Sequence, residues 1–137
     1  MLIKEETRQA SPSSSWSLPS WCLLCAGVLV MQIFFLGSLP FELFEPWDKL
    51  FHVIAYSALT LLAWIATDGR RPLPVVVGVM GLAMLDELRQ AAIPARTADA
   101  SDFAAGALAA IVTGALLFWL TVRSVQKSGA KKQCAES

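Results

Sequence analysis

Charged side chains are scarce in this chain of 137 residues: 16% are Asp, Glu, Lys or Arg, where soluble domains carry about a quarter. With 55% hydrophobic residues and a mean hydropathy of +0.55, there is too little polar surface for a water-soluble globule. Net charge is also missing, since eleven basic residues balance eleven acidic ones. That excludes a nucleic-acid binder held by bulk positive charge and a disordered acidic tail. Cysteine is sparse as well. Three residues give no disulfide framework, and Cys22 and Cys25 form a lone C-x-x-C inside an apolar run, without the second pair that a zinc site needs. Two buried thiols on one helix face is the simpler reading. Cys134 falls in a polar tail and reads as a free thiol. Leu23 and Leu24 stand where a lipoprotein signal has small residues.

What the chain does have is long apolar runs. After a Ser-rich lead over 1–18, read as disordered, come four stretches at 21–39, 50–67, 75–93 and 103–122. A bilayer core of about 30 Å takes about 20 helical residues. The first, second and fourth stretches meet this length with few polar members. The first is too long for a signal-peptide core and has no A-x-A-like cleavage site, so it reads as an uncleaved span. The third is apolar only to Leu85 and then carries Asp86, Glu87, Arg89 and Gln90; it spans only if protein shelters that end, the alternative being a re-entrant or tilted segment. The expected fold is an all-α membrane domain of four antiparallel spans over 19–122, with a basic tail over 123–137. Pro72 and Pro74 suit a helix start, Pro94 stops the third helix, and Asp99 or Ser101 can cap the fourth. Gly106, Ala110 and Gly114 recur every fourth residue. That stripe lets a helix approach closely and is a candidate face for a homo-oligomer.

The basic residues set the orientation. Lys4, Arg8, Arg70, Arg71, Arg123, Lys127, Lys131 and Lys132 fall on one side of a four-span arrangement, against Lys49 and Arg96 on the other. The positive-inside tendency then puts both termini in the cytoplasm.

This topology gathers ionisable residues at the outer end. Asp48, Lys49 and His52 begin the second helix, and Asp86, Glu87 and Gln90 close the third. Arg96 lies in the connection, and Asp102 opens the fourth helix. Lys49, His52 and Tyr56 share a face at i, i+3, i+7. Adjacent carboxylates are costly in lipid, by about 3 kcal/mol each at mid-span on insertion scales, so Asp86 and Glu87 point to a function. His52 and Glu87 are the candidate acid–base pair if the protein is an enzyme. No nucleophile accompanies them. His52 with Asp86, Glu87 and Asp102 matches no metal-ligand spacing, so neither metal nor cofactor is expected.

Three pieces, Asp48-Lys49-x-x-His52-x-x-x-Tyr56, Asp86-Glu87-x-x-Gln90-x-x-x-Pro94-x-Arg96, and Asp102 opening the last helix, resemble the VanZ-like membrane protein family. The family takes its name from a protein giving low-level resistance to the glycopeptide teicoplanin, and the resemblance covers roughly 47–118. It implies a small multi-span protein of the cell envelope and no settled chemical activity. Two positions depart from the family pattern: Gly106 stands where the family often has Asn, and Ala95 where it usually has Gly. The leading expectation is an accessory protein of the bacterial cytoplasmic membrane. It would bind an anionic lipid headgroup or a lipid-linked cell-wall or polysaccharide precursor at the outer polar site, with Arg89 a further candidate cation. The rival readings are a lipid-modifying enzyme and a small proton-coupled transporter.

Overall fold

A computed structural model describes residues 18–36, 47–94 and 99–135, with side chains as far as Ser128. The lead, the connection around Arg96 and the side chain of Cys134 lie outside the described residues. Four helices make up the described chain: α1 Leu18–Leu36, α2 Trp47–Ala66, α3 Pro72–Gln90 and α4 Ala100–Ala135. No strand occurs among the described residues.

The helix limits follow from local chemistry. Pro72 and Pro74 open α3, where a missing N–H costs nothing because the first turn has no acceptor for it. Asp68 and Gly69 both take positive φ (51° and 66°), and the Gly69 N–H reaches back to the Trp64 carbonyl at 2.9 Å, which closes α2 and turns the chain. At the far end of α3 the ladder tightens, with Ala92 N–H on Arg89 O and Ile93 N–H on Gln90 O, both at 3.0 Å, before Pro94 forbids continuation. Asp99 caps α4: its carboxylate accepts the Ser101 N–H at 2.8 Å and the Ser101 hydroxyl at 2.7 Å. The apolar stretch ends near Val122, but the helix runs on to Ala135, so the part read from sequence as a tail continues α4.

The bundle is inverted relative to a soluble one. Its buried residues include His52, Thr60, Asp86, Glu87, Gln90 and Asp102, while Val28, Met31, Ile54, Leu61, Val77, Leu108, Val112 and Leu116 are exposed. In water, apolar surface on this scale would drive association; in lipid it is the required exterior. Three helices, α1, α2 and α4, are long and apolar enough to cross a membrane. In α3, Asp86, Glu87 and Arg89 fall within four residues of one another near the C-terminal end. The protein is therefore a helical membrane protein.

Packing runs through α2, which lies most extensively against α4 and also contacts α1 and α3. Small residues allow this. Ala110 is fully buried, and Thr113 donates across to Ser57 at 3.2 Å. A Cβ placed on Gly106 would lie 2.7 Å from Tyr56 Cδ2, and one on Gly114 would collide with Val76. The Gly106, Ala110 and Gly114 stripe is thus consumed inside the chain, between α4 and its neighbours α2 and α3.

Candidate functional site

The start of α2, the end of α3 and the start of α4 meet at one end of the bundle. His52 lies at the centre, 5% exposed. Its Nδ1 is 3.0 Å from the Asp48 carbonyl oxygen, one turn back on α2. A carbonyl only accepts, so Nδ1 carries the hydrogen and Nε2 is left facing α3. There it meets two carboxylates, Glu87 Oε1 at 3.7 Å and Asp86 Oδ2 at 3.9 Å. The imidazole stacks on Tyr56, with 5.9 Å between centroids and 24° between planes, which fixes the ring plane.

The two adjacent acids have different surroundings. Asp86 is saturated: Oδ1 accepts Arg89 Nη2 at 2.8 Å, and Oδ2 accepts Gln90 Nε2 at 3.1 Å and, at the long limit of 3.5 Å, the Tyr56 hydroxyl. Arg89 also lies over the Phe34 ring of α1, 5.1 Å from its centroid, so this ion pair pins α1 to α3. Glu87 is only half used. Oε2 accepts the Asp99 backbone N–H at 3.1 Å, tying the α3–α4 connection to α3, while Oε1 is buried and accepts no hydrogen bond.

On the α4 side, Asp102 is 6% exposed and its Oδ1 accepts nothing. Asp48, His52 and Asp102 each offer a ligand atom within 4.8 Å of the other two. Lys49 Nζ lies 3.9 Å from Asp99 Oδ2 at the rim. Asp99 sits just outside α4, and its carboxyl is held below the ordinary aspartate range, first by the Ser101 hydroxyl and then by the Ser101 N–H.

Of the residues singled out from sequence, Asp48, Lys49, His52, Tyr56, Asp86, Glu87, Gln90 and Asp102 come together at this end. Arg96 lies outside the described residues. Arg89, read from sequence as a further candidate cation, and Asp99, read only as a cap, also take part. Arg89 is the guanidinium that neutralises Asp86, a pairing its i+3 position permits. Asp99 caps α4 and also donates its own N–H to Glu87; nothing in the sequence distinguishes it from a simple cap.

Comparison with models of known protein families, with curated proteins and with solved structures returns no match for the chain.

Proposed function

We propose that this is a VanZ-like protein of the bacterial cytoplasmic membrane, with four spans and both termini in the cytoplasm, whose outward polar site engages the headgroup of an envelope lipid. The carrying observation is Glu87 Oε1, a buried acceptor with no donor, set opposite His52 Nε2. An open carboxylate oxygen suits a hydroxyl or ammonium donor. Lys49 at the rim, and Arg96 in the connection, suit phosphate. A lipid-linked cell-wall or polysaccharide precursor carries both sugar hydroxyls and phosphate. A simple anionic phospholipid fits less well, because the described carboxylates outnumber the described cations at this end. Glycopeptide tolerance is the phenotype that the family resemblance attaches to such a protein.

The test is lipid retention. The protein is extracted in polymer-bounded native membrane discs and its lipids are compared by mass spectrometry with those of Glu87→Gln. Wild type should enrich a lipid-linked precursor over the surrounding membrane, and the variant should not. Equal lipid profiles from two folded proteins would end this reading.

A second reading, acid–base chemistry on the same lipid by His52 and Glu87, is favoured by the locked ring: with the hydrogen on Nδ1, Nε2 is the basic nitrogen and faces a carboxyl. Reconstituted protein that converts the retained lipid, and stops doing so as His52→Ala, would favour the enzyme over the binding protein.

A further inference from the structure

Among the described residues, the ionisable groups at this end do not balance in pairs. Arg89 lies on Asp86 and Lys49 on Asp99. Asp48, Glu87 and Asp102 are then grouped around a single imidazole. Carboxylates brought together in a low-dielectric site need a proton or a cation between them. Two features favour a cation on the α4 side. Asp48, His52 and Asp102 place one ligand atom each within 4.8 Å of the others, and Asp102, more than nine-tenths buried, has an oxygen, Oδ1, that accepts no hydrogen bond.

We propose that Asp48, His52 and Asp102 bind one divalent transition-metal ion of the zinc or manganese class. His52 Nδ1 is already 3.7 Å from Asp48 Oδ1. Tetrahedral zinc, with bonds of about 2.0–2.2 Å, holds its ligand atoms roughly 3.4 Å apart, so a small closure of the three side chains forms the site. Binding would break the Nδ1–H bond to the Asp48 carbonyl, put the metal on Nδ1 and place the imidazole hydrogen on Nε2, where Glu87 Oε1 stands as acceptor. A ligating histidine backed by a carboxylate is the usual way such a ring is oriented and made more basic. One imidazole among oxygens selects against Mg²⁺ and Ca²⁺, which take all-oxygen shells. Three protein ligands would leave a further coordination position for water or a ligand oxygen. A dication there also makes this acid-rich end compatible with a phosphate-bearing headgroup, a consequence that rests on the lipid reading; the site itself does not.

The probe is Zn²⁺, with Mg²⁺ for comparison, on full-length protein without a polyhistidine tag, in detergent, after chelator treatment. About one zinc per chain should survive gel filtration, and excess Mg²⁺ should not displace it. Asp102→Asn and His52→Gln should each weaken binding at least about tenfold. Asp68→Asn, in the turn at the other end of α2, and the paired Cys22→Ser and Cys25→Ser changes should leave it intact. X-ray absorption on zinc-loaded wild type should give imidazole and oxygen scattering without sulfur, a result that needs no variant to fold. No retained zinc, sulfur in the first shell, no imidazole signal, or binding unaffected by Asp102→Asn and His52→Gln would overturn the proposal, and the pair of carboxylates would then share a proton. None of these measurements depends on which lipid, if any, the protein holds.

Discussion

The Tyr56 ring occupies the space that Gly106 leaves on α4: a Cβ at residue 106 would stand 2.7 Å from Cδ2 and 3.1 Å from Cε2 of a ring that is 1% exposed. The ring cannot swing away, because it is stacked on His52 and enclosed by the core. Gly106→Ala should therefore force α2 and α4 apart, at a cost of about 1–3 kcal/mol, the range of overpacked cores. Gly27→Ala, on α1 with nothing within 4 Å of the added carbon, should be neutral or slightly stabilising. Thermal unfolding of the two variants in detergent makes the comparison. An Asn at 106, as the VanZ-like pattern often has, would be larger still and would require Tyr56 to be repositioned.

Asp86 holds the α3 end together, and its partners are unequal. The Arg89 contact at 2.8 Å is a charge-assisted bond; the Tyr56 hydroxyl at 3.5 Å barely qualifies as one. Asp86→Ala removes the buried carboxylate that Arg89, Gln90 and Tyr56 share and should cost about 3–5 kcal/mol. Tyr56→Phe, which keeps the ring and its stacking, should cost under about 1 kcal/mol. Denaturant titrations of the folded fraction in mixed micelles would rank them; equal losses would mean that the hydroxyl carries more than its distance suggests.

The four helices were legible because three apolar runs reach span length and the third, apolar only to Leu85, lies between strong stop signals, the Asp68-Gly69 turn and Pro94. The polar end was legible because its members sit at helix ends that an up-and-down order must bring together. What sequence could not supply was the choice of partner. Asp86 had Lys49, His52, Arg89 and Arg96 as candidate cations, and only packing assigns Arg89 to it. The Gly106 stripe could equally serve a neighbour inside or outside the chain, and only packing sets Tyr56 and Val76 against it. The approach of Asp102 to Asp48 and His52 depends on α2 lying against α4, a non-sequential contact that no local spacing encodes. Spacing along one segment does not reveal this grouping, because its members come from two helices.

Asp99 gives a pH dependence with a definite sign. Its folded carboxyl titrates below the unfolded one because the Ser101 hydroxyl and N–H favour the anion. Such a group contributes stability that is present above its unfolded pKa, near 3.9, and is lost as pH falls through the lower folded value. The stability difference between wild type and Asp99→Ala should thus be constant at neutral pH and shrink in acid below the ordinary aspartate range. Unfolding midpoints of the two proteins from pH 7 to pH 3 would check it. A gap that widens in acid would mean that the side chain stabilises as the neutral acid.

Orientation in the membrane follows from joining the packing to the placement of basic residues. Near the polar end, Glu87 of α3 meets Asp99 at the start of α4; further along, Gly114 of α4 meets Val76 at the start of α3. So α4 runs back along the full length of α3, and the α2–α3 turn with Arg70 and Arg71 lies at the same end of the bundle as the later part of α4 with Arg123 and Lys127. Were α3 not to cross, α4 would carry Arg123 and Lys127 to the side opposite Arg70 and Arg71, against the positive-inside tendency. The four crossings proposed above would put both groups on one side, and the excess of basic residues would make that side the cytoplasm. A reporter active only in the cytoplasm should work when inserted at Gly69 and when fused after Ser128. One active only outside should work when placed within residues 41–46. A fusion after Ser128 that reports the outer side, with the Gly69 insertion reporting the cytoplasm, would reduce the crossings to three and leave Asp86 and Glu87 outside the bilayer altogether.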